Sequence, residues 1–173
     1  TLTSVHFQKT KGSITSSRIA ACEPQTHISM YQSILKNKGF EFALQKTTEL
    51  GISRFVPLIS ARSAANTADG DKQKARRTKI ITESAEQSCR GKLPILEPTV
   101  SLKTACEQLL GPAVMPWENE HATSLRSVIR RWKTDGNCDA GINLFIGPEG
   151  GFTANEVEYA RSMGIETVTL GPR

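Results

Sequence analysis

Apolar positions along the chain follow two alternating rhythms. Phe40, Ala43, Leu44, Thr47 and Leu50 fall on the helical period, and Gly51 follows where a left-handed helix stop belongs, so FEFALQKTTELG reads as a helix. ISRFVPLIS, residues 52–60, is β-branched, apolar and short, the pattern of a buried strand. Helical spacing returns through Ala75, Ile80, Ile81 and Ala85 in residues 71–90; LPILEP then reads as a strand, SLKTACEQLL as a helix with Ser101 as a possible cap, and PAVMPW as a strand. Ser124 is placed to cap LRSVIRRW, in which Leu125, Val128, Ile129 and Trp132 share one face, and GINLFIG is the next strand. Thr153 and Glu156 form a T-x-x-E capping box at the head of ANEVEYARSMG; Gly164 ends that helix, and IETVTLG is the last strand.

Strands alternating with helices of about ten residues require crossover connections. The expected fold class is therefore α/β, with a mainly parallel sheet and helices on both faces. The first 32 residues break the rhythm: they are rich in Ser, Thr and β-formers and read as short strands, the remnant of a small β domain. The expected division is residues 1–32 as a partial β domain and 33–173 as the α/β domain.

Composition narrows the class without deciding it. With 38% apolar and 23% charged residues the chain is expected to bury a core rather than stay disordered. It has no membrane-length apolar run, which points to a soluble, intracellular protein. Cys22, Cys89, Cys106 and Cys138 are widely spaced with no C-x-x-C pair, so no metal site is expected. The formal charge of +5 favours a polyanionic partner. Basic residues gather in KQKARR (72–77), RGK (90–92) and RSVIRRWK (126–133), although each cluster taken singly fits a solvated helix face better than a binding patch.

The most informative stretch is LFIGPEGGFT, residues 144–153. In open parallel sheets ligands sit beyond the carboxyl ends of the strands, and GPEGG lies at that end of GINLFI. Glycine allows positive φ and close backbone approach while Pro148 stiffens the entry, properties that suit either a ligand loop or a tight turn. The chain lacks G-x-G-x-x-G on its first strand-to-helix turn, and it lacks the P-loop pattern. A glutamate in place of a lysine makes GPEGG a poor phosphate cradle, so a neutral or cationic ligand fits it better.

QKTTELG (45–51), ESAEQSCR (83–90), PWENE (116–120), LFIGPEGGFT and LGPR (170–173), in this order, resemble the bacterial 16S ribosomal RNA uridine N3-methyltransferases of the SPOUT, or trefoil-knot, superfamily; the likeness runs from about residue 36 to Arg173. It implies a PUA-like β-barrel that helps hold RNA, followed by a knotted α/β domain that forms a homodimer. It also implies S-adenosylmethionine as methyl donor, held by backbone-rich loops after three strands. Carried onto this chain, those loops are Met115, Pro116, Trp117 and Glu118; Ile146, Gly147, Pro148, Glu149, Gly150 and Gly151; and Leu170, Gly171, Pro172 and Arg173. In the family the LG-x-R element continues into a segment close to ILR-x-ETA and a final helix. Both the barrel and the C-terminal end are therefore expected to be incomplete here.

The reaction the resemblance implies is transfer of a sulfonium methyl to N3 of a uridine in small-subunit ribosomal RNA, in the bacterial cytoplasm or an organelle. Another ribosomal or transfer RNA nucleotide, and RNA binding without catalysis, remain alternatives on the same scaffold. A neutral imide nitrogen must lose its proton to react, and no residue is marked clearly as the base; His121, next to PWENE, is one candidate. Glu83, Glu86 and Arg90 are candidate catalytic groups, because with Gln87 they recur at helical spacings of three and four. Lys46, Gln87, Arg90 and Lys92 are candidate RNA contacts, and Arg90 is also suited to steering a phosphate or stabilising a uracil anion.

Overall fold

The structure is a computed structural model that describes residues 1–7, 9–17, 23–36, 38–63, 70–136 and 141–171. The elements are β1 (Leu2–His6), β2 (Lys9–Gly12), β3 (Ile28–Ser33), α1 (Gly39–Glu49), β4 (Arg54–Ile59), α2 (Asp71–Gln87), β5 (Ile95–Leu96), β6 (Val100–Ser101), α3 (Leu102–Glu107), β7 (Ala113–Pro116), α4 (Leu125–Thr134), β8 (Ile142–Ile146), α5 (Ala154–Ser162) and β9 (Glu166–Val168). β3 to β9 form one sheet in the order β5-β4-β3-β8-β7-β9, with β6 also paired to β4. Every pairing in it is parallel. The expected α/β class is what the chain adopts.

Alternation along the central strands sends neighbouring side chains to opposite faces. Tyr31, Val56, Met115 and Phe145 pack against Leu102, Ala105 and Cys106 of α3 and Val157 and Ala160 of α5. Met30 and Phe55 turn the other way, onto Phe40 and Leu44 of α1 and Ile81 of α2, while Val114 and Val168 meet Val128 and Trp132 of α4. Tyr31 and Phe145, directly paired across β3 and β8, stack with ring centroids 4.4 Å apart, an arrangement that locks the register at the sheet centre.

Residues 28–32, read from the sequence with the N-terminal β segment, lie at the centre of this sheet, where β3 is flanked by β4 and β8. The polar letters of ISMYQS hid the strand's place in the central sheet: Gln32 and Ser33 are both buried, and Gln32 Nε2 donates to the Ser33 carbonyl at 3.0 Å. Ahead of the sheet, β1 and β2 form an exposed antiparallel hairpin. The strand expected over LPILEP shrinks to two residues between Pro94 and Pro98, because proline nitrogens donate no ladder hydrogen bond, and Val100–Ser101 supplies a second short pairing to β4.

Candidate functional site

The caps read from the sequence set the entry to the site. Ser101 accepts from the Thr104 amide, Ser124 from the Ser127 amide, and Thr153 and Glu156 close the capping box on α5. Gly164, at φ +85°, ends the α5 turn.

β8, β7 and β9 are neighbours in the sheet, and their carboxyl ends are level, with Pro116 paired to Val168 and Val114 to Leu144. The loops that leave Ile146, Pro116 and Val168 therefore emerge side by side. Pro116, Trp117, Glu118, His121, Thr169, Leu170 and Gly171 line a cleft of about 450 Å³. Met115, assigned to this group from the sequence, is wholly buried in the core, so it has only its backbone to offer a ligand. Pro172 and Arg173 lie outside the described residues.

The glycine loop meets the cleft at one point. A Cβ built on Gly151 would sit 2.8 Å and 2.9 Å from the two carboxylate oxygens of Glu118, and the glycine adopts φ +68°. Only a residue without a side chain fits that position unstrained. Around it the loop is tied down: the Gly151 amide donates to the Pro148 carbonyl at 2.9 Å, the Lys36 amide to Glu149 Oε1 at 2.9 Å, and Gln32 Nε2 to the Gly147 carbonyl at 3.4 Å. The amides of Glu149 itself and of Lys36 hold the Glu149 carboxyl below the usual range.

A polar network stiffens the opposite wall. Arg161 donates to Thr167 Oγ1 at 2.6 Å and to Glu120 Oε2 at 2.9 Å, and its guanidinium lies 5.4 Å from the centre of the Trp117 ring. Glu120 accepts the amides of Thr123 and Ala122, which, with Thr167 and Arg161, keep its carboxyl below the ordinary range. Arg161, Thr167 and Thr169 carried no motif; their part follows from the pairing of β9 with β7, which a linear pattern does not reveal.

The candidates from ESAEQSCR do not come together as one constellation. Glu83 and Gln87 line a groove between α1 and α2 with Gln45 and Ser84, and Glu83 pairs with Lys79 at 3.6 Å. Glu86 is exposed outside that groove. Arg90 points inward with its side chain 6% exposed, donating to the carbonyls of Thr48 and Ile52 at 3.1 Å and 2.6 Å and to Glu23 Oε2 at 2.8 Å. It leaves the helical face because α2 ends at Gln87 and Cys89 turns to φ +56°. Lys92 presents its amide to Glu23 at 3.1 Å, and exposed Lys46 pairs with Glu49 at 2.9 Å on α1.

No helix among the described residues is long and apolar enough to cross a membrane, and those residues hold no cluster of three or more metal-ligating side chains.

Residues 22–173 match the family model described as RNA methyltransferase domain. The chain is 32% identical over 152 residues to ribosomal RNA small subunit methyltransferase E of Mesomycoplasma hyopneumoniae, covering 87% of this chain and 64% of that one. It is also 32% identical over 147 residues to the protein of the same name from Synechocystis, covering 84% and 47%. The chain thus spans about half to two thirds of the length of these curated relatives. Among solved structures, ribosomal RNA small subunit methyltransferase E of Neisseria gonorrhoeae bound to S-adenosyl methionine superposes with TM-score 0.88 at 28% identity, over 99% of this chain and 69% of that one. A putative methyltransferase of Legionella pneumophila, in complex with the same molecule, superposes with TM-score 0.69 at 25% identity, over 88% and 61%.

Proposed function

We propose, from the premise that this chain belongs to the RNA methyltransferase domain family, that it carries the methyl-transfer centre of an S-adenosylmethionine-dependent enzyme acting on uridine N3 in small-subunit ribosomal RNA. The observation that carries the reading is the convergence of three strand-end loops: those after β7 and β9 wall one cleft, and the loop after β8 closes on it where Gly151 meets Glu118. The relatives' names supply the RNA class, and the bound molecule in the Neisseria structure supplies the donor.

The residues present suit that donor. Trp117 and Leu170 offer apolar surface beside the Glu118 carboxylate, and the backbone of the glycine loop approaches without a Cβ in the way. S-adenosylmethionine, when bound, supplies an electrophilic methyl group on a sulfonium. Loops fixed by hydrogen bonds hold reactants in line, which removes much of the entropic barrier to a bimolecular transfer. The uracil nitrogen must shed its proton, and Glu118 and His121 are the residues of the cleft wall with basic atoms to receive it.

The hairpin β1–β2 is proposed to belong to a partial PUA-like RNA-holding domain, with the active protein a homodimer. Isothermal titration with S-adenosylmethionine tests the donor, and incorporation of labelled methyl into 16S ribosomal RNA, mapped by a primer-extension stop, tests the acceptor. Saturable donor binding with a stop at one uridine supports the reading. RNA binding without methyl incorporation would leave only a non-catalytic RNA-binding scaffold, and a stop mapped to transfer RNA would reassign the substrate.

A further inference from the structure

The loop 147–151 has two sides. Toward β7 and β9 it meets Glu118 and the donor cleft; toward β3 and β4 it faces a different set of groups. There Arg62, just past the carboxyl end of β4, reaches across β3 and donates from Nη1 to the Gly150 carbonyl. Its Cδ would lie 3.3 Å from a Cβ on Gly150, so the arginine stem lies along the loop's outer face.

This arginine stands on a built mount. The Ser63 amide donates to the Ser60 carbonyl at 3.0 Å, the Ser60 amide donates to Ser63 Oγ at 2.8 Å, and the Ala61 amide donates to Glu156 Oε1 at 2.7 Å. Among the described residues the Gly150 carbonyl is the guanidinium's sole hydrogen-bond partner, and Arg62 is exposed. The nearby carboxylates are already engaged: Glu149 with the Lys36 amide, and Glu156 with Ala61 and Thr153. The glycine loop has three other ties, at Pro148, Lys36 and Gln32, so holding it does not require a fourth from a solvent-facing arginine. An arginine has five donors in a planar fork that matches a phosphate, and the Gly150 carbonyl takes up one of them here.

We infer that the β3–β4 side of the loop receives the RNA acceptor, and that Arg62 contacts a backbone phosphate of that RNA. This rests on the proposed methyltransferase reading and adds the side from which the acceptor enters. In-line transfer requires the uracil N3, the methyl carbon and the sulfonium sulfur to be collinear, so the phosphate contact at Arg62 anchors the RNA while its uridine reaches past the loop into the donor cleft.

The test uses the whole chain with Arg62→Gln and Arg62→Lys. Binding of a fluorescein-labelled, uridine-containing RNA hairpin is followed by anisotropy over a range of salt, and S-adenosylmethionine affinity is measured by calorimetry. Arg62→Gln is expected to weaken RNA binding about tenfold and to lower the slope of log K against log salt by about 0.7 to 0.9, the signature of one lost phosphate contact. Arg62→Lys is expected to keep the slope, and donor affinity to stay within about twofold of wild type in both variants, because Arg62 does not line the donor cleft and the loop keeps its ties at Pro148, Lys36 and Gln32. An unchanged RNA slope in Arg62→Gln, or a loss confined to donor affinity, overturns the inference and makes Arg62 a clamp on the loop. A wild-type chain that binds no RNA overturns the functional reading together with this one, whereas wild-type binding matched by Arg62→Gln removes Arg62 alone.

Discussion

The Glu118 carboxylate occupies the space a side chain on Gly151 would need: a Cβ there would fall 2.8 Å from Oε2. One contact thus joins the loop after β7 to the loop after β8. Gly151→Ala brings both a clash and a left-handed backbone at φ +68°, which costs a non-glycine residue about 1 to 2 kcal/mol. Donor affinity measured by calorimetry is expected to fall about tenfold or more, as the loop moves to relieve both. Adding Glu118→Ala should remove the clash but not the backbone strain, and so restore the loop geometry only in part. Wild-type affinity in Gly151→Ala would separate the glycine loop from the cleft.

Arg161 holds the other wall through three partners, Trp117, Thr167 and Glu120. Arg161→Met keeps much of the stem's volume and deletes the cation, so Trp117 and the turn around Glu120 lose their anchor. The expected loss in donor affinity is about five- to thirtyfold, about 1 to 2 kcal/mol, the scale of a single hydrogen bond. With Trp132→Phe as background, Trp117 is the remaining tryptophan of the chain, and its emission should shift on the Arg161 change. Unmoved emission with unmoved affinity would show that the wall stands without Arg161.

Local signals carried most of the fold. The capping box at Thr153 and Glu156, the serine caps and the glycine stops are short-range chemistry, and each appears where the letters place it. β3 falls within the segment read as short strands but is grouped there with the N-terminal β domain, because a strand buried on both faces at the sheet centre can carry polar residues once the sheet satisfies them, as the Gly147 and Ser33 carbonyls do for Gln32. The glycine loop was legible as a candidate because its position at a strand end follows from chain order. Strand order was not: that β7 lies between β8 and β9, bringing Pro116 beside Val168, is a long-range pairing with no local mark. Arg90 shows the opposite failure. Its helical spacing from Glu83 and Glu86 suggested a shared face, but the helix stops at Gln87, and the turn at Cys89 sends the guanidinium inward.

That inward position gives Arg90 a consequence for stability. Removing its guanidinium leaves the carbonyls of Thr48 and Ile52 and the carboxylate of Glu23 without their partner. Arg90→Met is expected to lose about 2 to 3 kcal/mol in urea unfolding, the cost of leaving the two carbonyls and a partly exposed carboxylate unpaired. Preserved stability with lost methyl transfer would instead support the RNA contact read from ESAEQSCR.

The same pair sets an acid limit. The hydrogen bond from Arg90, helped by the amides of Lys92 and Gly91, holds the Glu23 carboxyl below its ordinary value. Between the folded and unfolded values the unfolded chain binds more protons, so stability rises with pH there. The contribution is therefore complete above the usual carboxylate range and is lost as pH falls through the lower folded value. Glu23→Gln should flatten the stability profile at and below the usual carboxylate range. An unaltered acid slope in the variant would place the titrating group elsewhere.

Glu156 ties two loops with one carboxylate. Oε2 accepts from the Thr153 amide at 2.8 Å as half of the capping box, while Oε1 accepts from the Ala61 amide at 2.7 Å. Thr153→Ala removes only the threonine half of the box and is expected to cost about 1 kcal/mol, or about 2 to 4 °C in melting temperature for a chain of this size. Glu156→Ala frees the turn that carries Arg62 as well, so it should lower the melting temperature further and also loosen the RNA-facing side. Because the two residues share one network, the double variant should lose less than the sum of the single losses. Strict additivity in a double-mutant cycle would mean that the two halves of the cap act independently.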